Sequence, residues 1–367
     1  MPIKTANSSK ELPDAVADLK RQCGGMQPRL VLLFSSSKYD AGDISRQVQQ
    51  AFPHACVVGC STAGEIAGIR MLTDSVVAMF LDDDVVEDVV SAVVEDLNGE
   101  ARVRDAFSSF ERHFHAPVSS MDIHKYVGLV LADGLSGAEE QLMEKIGDRT
   151  DLFFIGGSAG DDLKFKSTHV FNQGKAYSNA AVLVLLRAKR GFEIIKTQSF
   201  RSTGKVLTAT NVDEALRKVI EFNRQPALTA YAQTLGVPPE SLPRLFMKHP
   251  LGLMVEGEPF VRSPQRVDGQ SIVFYCQIKE GMDLEVLEAT DIVADTRKAI
   301  EARKGADGRI AGIIDFQCIL RTLELRAENR CEQYGAIFAG LPAAGFSTYG
   351  EAYLGHINQT STMLLFR

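Results

Sequence analysis

The stretch Gly59-Cys60-Ser61-Thr62-Ala63-Gly64-Glu65-Ile66 follows the apolar run Ala55-Cys56-Val57-Val58 and sets two glycines, two hydroxyls, a thiol and a carboxylate within eight positions. Ahead of it, LVLLF (Leu30 to Phe34) reads as a strand, and Ile44, Val48, Ala51 and Phe52 recur at helical spacing. After it, SVVAMFL (Ser75 to Leu81) is strand-like again. The order is strand, helix, strand, glycine loop, strand. It returns in YVGLVLADG (Tyr126 to Gly134), a helix opened by the capping box Ser136-x-x-Glu139, the strand LFFI, the loop GGSAGDD (Gly156 to Asp162) and the strand AAVLVLL. A looser third copy runs from GIIDF through one long helix, with Ile319, Leu323, Ala327 and Cys331 on a single face, to AAGFSTYGEA (Ala343 to Ala352) and STMLLF. Phe34 to Gly59 and Leu131 to Gly156 are both 25 positions, and Phe316 to Gly345 is 29, the difference of one helical turn.

This pattern predicts an α/β protein: two domains with mixed β-sheets built from recurring β-α-β-β units. Gly59, Gly156 and Gly345 should each end a buried strand, with the following serine in a loop at the carboxyl side of a sheet, where ligands bind to α/β folds. A chain of 367 residues also calls for more than one core. Between the second and third copies the chain changes character. GFEIIKTQSF reads as a strand, VDEALRKVIEF and ALTAYAQTLGV as helices, PPESLP and KHPLG as turns, and Phe246 to Leu287 as strand-rich. A boundary between Asn211 and Asn223 follows, giving a lead-in helix over 1–23 and domains over 24–215 and 216–367.

A net charge of −7 without a basic stripe argues against nucleic acid and anionic lipid as partners. No signal peptide or membrane-length apolar run is legible, so a cytoplasmic protein without membrane insertion is expected. The six cysteines form no C-x-x-C pair and read as reduced, mostly buried thiols.

GGSAG at Gly156 to Gly160 matches the nucleophile-elbow pattern, which would make Ser158 a hydrolase serine, but the polar sequence after it does not open the helix an elbow needs. No G-K-[ST] closes any of the loops, and Glu65 and Glu351 would repel a phosphate. The loops instead offer small residues, hydroxyls and a carboxylate, suited to a small polar or zwitterionic ligand; local capping by Ser61, Thr62 and Glu65 is the structural alternative. The candidate ligand-binding residues are Cys60, Ser61, Thr62, Glu65, Ser158, Ser347, Thr348, Glu351 and Asn358, with no catalytic residue assigned. The histidines lack metal-site spacing, so a protein-only metal site is not expected.

VVGCSTAGEI, FIGGSAGDD, EFNRQPALTAYAQTLGV, HPLGL, FVRSPQRVDGQ, IKEGMDLEVL and, most specifically, GFSTYGEAYLGHINQTST resemble successive parts of the FIST (F-box and intracellular signal transduction) family, from about Leu30 to Phe366. The resemblance implies a ligand-sensing protein rather than an enzyme. The stand-alone layout is similar to the family's nitric-oxide-sensing haem proteins, which act on a partner histidine kinase and on cyclic-di-GMP signalling and biofilm behaviour. It implies haem as cofactor, for which His356, beside GFSTYGEAYLG, and His249, in KHPLG, are the candidate iron ligands. A sensor of amino acids or other small metabolites is the alternative, and a serine hydrolase the second.

Overall fold

A computed structural model describes residues 1–99, 102–304 and 309–367. Two compact units interleave along the chain: the first comprises Met1–Lys196, Arg297–His356 and Ser361–Arg367, the second Thr197–Thr296 and Ile357–Thr360. The mixed α/β class expected from the sequence is what the elements form.

The first unit is a threefold repetition. Repeat one is β1 (Ile3–Ser8), α1 (Asp14–Cys23), β2 (Leu30–Ser36), α2 (Ala41–Ala51), β3 (Cys56–Thr62), the short arm β4 (Glu65–Ala67) and β5 (Arg70–Leu72), then β6 (Val76–Leu81). Repeat two is β7 (Val86–Glu95), α3 (Val103–Phe114), β8 (Tyr126–Ala132), α4 (Glu139–Gly147), β9 (Phe154–Ser158), the arm β10 (Val170–Asn172) and β11 (Lys175–Tyr177), then β12 (Ala180–Ala188). Repeat three opens with β13 (Phe192–Gln198), after which the chain builds the second unit. That unit contains β14 (Phe200–Asp213), β15 (Lys218–Phe222), β16 (Gln225–Pro226), α5 (Ala227–Leu235), β17 (Leu251–Val255), β18 (Glu258–Arg262), β19 (Pro264–Asp268), β20 (Ser271–Phe274) and β21 (Asp283–Ala289). Repeat three then resumes with α6 (Ile292–Glu301), β22 (Gly312–Cys318), α7 (Ile319–Ala327), α8 (Cys331–Gly335), β23 (Ala343–Thr348), the arm β24 (Glu351–Tyr353) and β25 (His356–Ile357), and β26 (Thr360–Phe366).

Each repeat pairs its two central strands in parallel and lays its last strand antiparallel to the first of them. The arm then leaves for another sheet. The arm of repeat one pairs with β23, that of repeat two with β3, and that of repeat three with β9. The sheet orders are therefore β1-β6-β2-β3-β10-β11, β7-β12-β8-β9-β24-β25 and β13-β26-β22-β23-β4-β5.

Side chains alternate across each strand. Leu30, Leu32 and Phe34 of β2, Val127, Leu129 and Leu131 of β8, and Ile314 and Phe316 of β22 meet in one central core, where Phe346 lies 4.9 Å from Phe34 and 5.9 Å from Phe316 between ring centroids. Each such side chain contributes roughly 1.5–3 kcal/mol by burial. On the opposite faces, Val31 and Leu33 pack under α1 and α2 through Leu19, Ile44 and Val48, and Val130 and Leu183 under α3 and α4 through Phe110, Leu142 and Ile146. In the second unit, β14 to β21 form an eight-stranded sheet closed by α5, with Phe222, Tyr231 and Phe274 in its core.

Several local expectations are corrected. Gly59, Gly156 and Gly345 lie within strands, not at their ends. A Cβ on them would stand 1.8, 1.8 and 1.9 Å from the carbonyl oxygens of Leu33, Val130 and Asp315, each the partner residue on the neighbouring parallel strand. Glycine is there for close backbone approach, the alternative to a turn. VDEALRKVIEF is not a helix: Asp213 pairs with Lys218 across a β14–β15 hairpin, so position 215 lies in its turn, and burial of Val219 and Phe222 outweighs helix propensity. The lead-in begins with strand β1, and the long third helix breaks into α7 and α8; His356 lies in the arm of repeat three. The capping box does not form: Ser136 Oγ donates to the Asp133 carbonyl, and Glu139 serves elsewhere.

Candidate functional site

Ser61, Ser158 and Ser347 stand two residues after their glycines, at the ends of β3, β9 and β23, and all are buried. Each is clamped by another repeat's arm. The Ser347 N–H donates to Gly64 O (2.7 Å) and Ala63 N–H to Ser347 O (3.2 Å). The Ser158 N–H donates to Gly350 O (2.8 Å) and Tyr349 N–H to Ser158 O (3.1 Å). Gly160 N–H donates to Ser61 O (2.9 Å), while the Ser61 N–H reaches His169 O (2.9 Å), because the loop after β9 is longer than its counterparts. The hydroxyls then diverge. Ser61 Oγ accepts from His169 N–H (2.9 Å), Ser158 Oγ donates to Glu139 Oε1 (3.2 Å), and Ser347 Oγ shares a hydrogen bond with Thr322 Oγ1 (2.8 Å).

Two Thr-x-x-Glu turns follow the first and third serines. Thr62 Oγ1 donates to Glu65, which also accepts from Ser75 Oγ at 2.5 Å; Thr348 Oγ1 donates to Glu351 Oε1 at 2.5 Å. Burial pushes the Glu65 carboxyl up to about 8, partly offset by the Ser75 and Thr62 hydroxyls, and burial likewise raises the Cys60 thiol well above its usual value. Glu65 and Glu351 sit in different sheets. The structure brings the Gly64 turn against Ser347, and Ser158 together with His356.

Ser158, Glu139 and His356 line one cavity of about 10 Å³, with Val130, Ala132, Leu142, Met143, Gly157 and Ala352 as its remaining walls. β8, α4 and β9 supply one side and the arm of repeat three the other. His356 lies against Gly350, where a Cβ would stand 2.0 Å from the ring's Cε1. His249 and Asn358 belong to the second unit; His249 Nδ1 is 3.2 Å from Leu287 O, and the buried Asn358 Oδ1 has no hydrogen bond.

No helix follows Ser158. Asp161 instead accepts from Tyr349 Oη (2.6 Å) and from the N–H groups of Phe165, Lys166 and Ser167 at 2.9, 2.6 and 3.1 Å. Burial alone would raise its carboxyl, but these donors outweigh it and hold Asp161 below the usual range. The turn after Ser158 is thus built around Asp161, without the helix N-terminus that serves an oxyanion in a nucleophile elbow.

Sequence reasoning missed a second polar group. Asp315 on β22 accepts from Tyr334 Oη (2.9 Å) and Ser361 Oγ (2.6 Å), near the fully buried Arg321. Burial moves its carboxyl up to about 6, with Ser361, Tyr334 and Arg321 opposing the rise. The available signal was a carboxylate in the middle of GIIDF, a run otherwise fit for the core. Among the described residues, no group of three or more His, Cys, Asp or Glu is placed to hold a metal, and no helix is long and apolar enough to cross a membrane.

Residues 29–225 match the FIST N domain and residues 227–353 the FIST C domain. The uncharacterized protein MJ1623 of Methanocaldococcus jannaschii is 22% identical over 323 residues, which cover 83% of this chain and 62% of that relative. The chain thus spans about six-tenths of the length of the curated relative it matches. With both domains matched in order across most of its length, the chain belongs to the FIST family.

Proposed function

We propose that this protein is a cytoplasmic sensor that binds a small ligand between α4 and the arm of repeat three and passes the signal to a partner histidine kinase in two-component and cyclic-di-GMP signalling. The kinase and the pathway rest on the family resemblance. The ligand site rests on one observation: Ser158, Glu139 and His356, from two repeats, converge on a single cavity with otherwise apolar walls. A few polar groups in apolar surroundings orient a small guest. At about 10 Å³ the cavity is near the lower limit for a single water, so a ligand enters by displacing the β24–β25 arm, whose tip residue Leu354 is exposed. Moving that arm alters its pairing with β9, which gives binding a mechanical consequence.

A free amino acid or another small metabolite suits this site. Haem, with nitric oxide as its signal, asks far more of the same opening: ligand pockets of that class need roughly 300–1,000 Å³, and the His356 ring is packed against Gly350. Calorimetric titration with free amino acids and small metabolites tests the reading, with binding expected to fall at least about tenfold in His356→Ala. Binding indifferent to His356→Ala and Ser158→Ala would place the ligand elsewhere. Haem offered to the purified protein is the companion test. A nitric-oxide-sensitive Soret band lost in His249→Ala would reinstate the haem reading through the second candidate.

A further inference from the structure

Repeats one and two differ where the chain leaves their first helix for the first central strand. In repeat two, positions 115–125 join α3 to β8, and Val118 and Met121 of that link are buried in one core cluster with Ile146 and Leu152. In repeat one the link from α1 to β2 is shorter, positions 24–29. It carries Met26 and Pro28 to the wall of a cavity of about 120 Å³, which opens between this link and the end of α2.

The walls of this cavity are apolar. Ala51, Phe52 and Ala55 face the link residues across it, and Cys23, Pro28, Phe52 and Ala55 are buried. The carbonyls nearest the floor already have donors: Lys4 Nζ reaches Cys23 O (2.7 Å), Cys23 Sγ reaches Met26 O (3.6 Å), and Gln49 Nε2 reaches Phe52 O (3.1 Å) and Ala55 O (3.2 Å). A guest is therefore not required to bring hydrogen-bond donors. The rim is polar and exposed, with Lys20, Gln27 and His54. Among the described residues none of these three side chains has a hydrogen bond or ion pair, and no Asp or Glu lines the opening. Lys20 thus sets one positive charge, without an ion-pair partner, beside an apolar hollow.

We propose that this cavity is a second ligand site, taking a small monocarboxylate whose apolar body is no larger than a single ring. An apolar cavity of about 150 Å³ takes up benzene. This one is somewhat smaller but open at its rim, so a ring or a branched chain fills it while the carboxylate stays in the opening. Removal of the body from water drives binding, and the carboxylate keeps its hydration beside Lys20, whose charge selects the sign of the guest. An ammonium would meet like charge there, and a second carboxylate would have to leave water for the apolar floor. The site shares no residue with the Ser158–Glu139–His356 cavity and is tested independently of it.

Saturation-transfer NMR titrations of the full chain with benzoate test the proposal, with benzylamine, acetate and 2-naphthoate as comparisons. Benzoate should bind about tenfold more tightly than benzylamine, which differs in the sign of its charge, and than 2-naphthoate, which is too large; acetate, which has no body to bury, should show no transfer. Ala51→Leu fills the cavity from the end of α2 and should weaken benzoate at least about tenfold. Lys20→Met, at the exposed rim, should weaken it about threefold and remove the preference over benzylamine, while Ser158→Ala should leave it unchanged. Folding of each variant is confirmed by its unfolding midpoint in urea. The assignment is overturned by absent benzoate transfer, by equal binding of benzoate and benzylamine to the unaltered chain, by a preference that survives Lys20→Met, or by benzoate affinity unaltered in a folded Ala51→Leu protein.

Discussion

Ser158 and Ser347 occupy the same step of the same repeat, each two residues after a glycine pressed against a parallel neighbour and each clamped by another repeat's arm. One hydroxyl meets a carboxylate from the first residue of α4, under a helix pair that is otherwise apolar. The other meets a threonine of α7 beside a buried acid, a buried arginine and a half-satisfied amide. The backbone frame is held constant while the side chains beneath the helices are exchanged. Shared backbone geometry marks what the fold requires, and the departures from it mark where chemistry has been installed.

Removing the acid should have the largest effect. Asp315→Ala leaves Arg321 buried beside two hydroxyls that have lost their acceptor, and should lower the free energy of unfolding in urea by about 3–5 kcal/mol. Replacing the pair with apolar residues, Asp315→Leu with Arg321→Met, should recover most of that loss by making repeat three resemble the other two. A double variant no more stable than Asp315→Ala would show that the polar cluster is required by the frame.

Alanine at Gly59, Gly156 or Gly345 should each cost about 3 kcal/mol, since the new methyl would overlap a neighbouring carbonyl that the ladder holds in place. Urea unfolding of the three variants compares the repeats directly. A well-tolerated alanine in one repeat would break the equivalence at that point.

Glu65 adds a pH-dependent contrast. Its carboxyl is raised from the usual 4.5 to about 8 in the fold. Stability from the protonated form is therefore complete below the unfolded value and is lost as pH rises through about 8, on the order of 2 kcal/mol or more across that window. Glu65→Gln keeps the hydroxyl contacts without the ionisation, so its unfolding free energy should stay flatter between pH 5 and 9. Parallel profiles for the two proteins would mean that Glu65 is already ionised at neutral pH.

The smallest effect is expected at the compared serines. Ser158→Ala should lose about 1 kcal/mol with its hydrogen bond to Glu139, and chromogenic ester turnover should be absent before and after the change. Robust Ser158-dependent turnover would assign that cavity to catalysis.

Much of this frame was legible in the sequence. LVLLF, YVGLVLADG and GIIDF, with a glycine stretch 25, 25 and 29 positions on, carried the threefold unit because long apolar strands and amphipathic helices leave periodic signals. The exchanged arms did not, since three-residue strands such as Glu65–Ala67 are too short for periodicity and their partners lie in distant sequence. The glycines were visible, but their role was not: the residue that permits a turn also permits two backbones to touch. Ser158 and His356 were identified singly, whereas their shared cavity depends on an arm pairing that only the fold supplies. Glu139 read as half of a capping box because the local pattern fits one, and a partner 19 residues away outcompetes it.

The passing of arms from one repeat to another has a numerical consequence. A linear stack of repeats has two ends and can gain or lose a member, because only a neighbour is affected. Here every member lends a ribbon to one companion and borrows one from the other, so the round closes at three. A fourth copy would have no place to lend, and a missing copy would leave one sheet with a bare edge and another ribbon without a host. New material can enter only where it leaves the round intact, and the link between β13 and α6, which carries most of the second unit, is such a place.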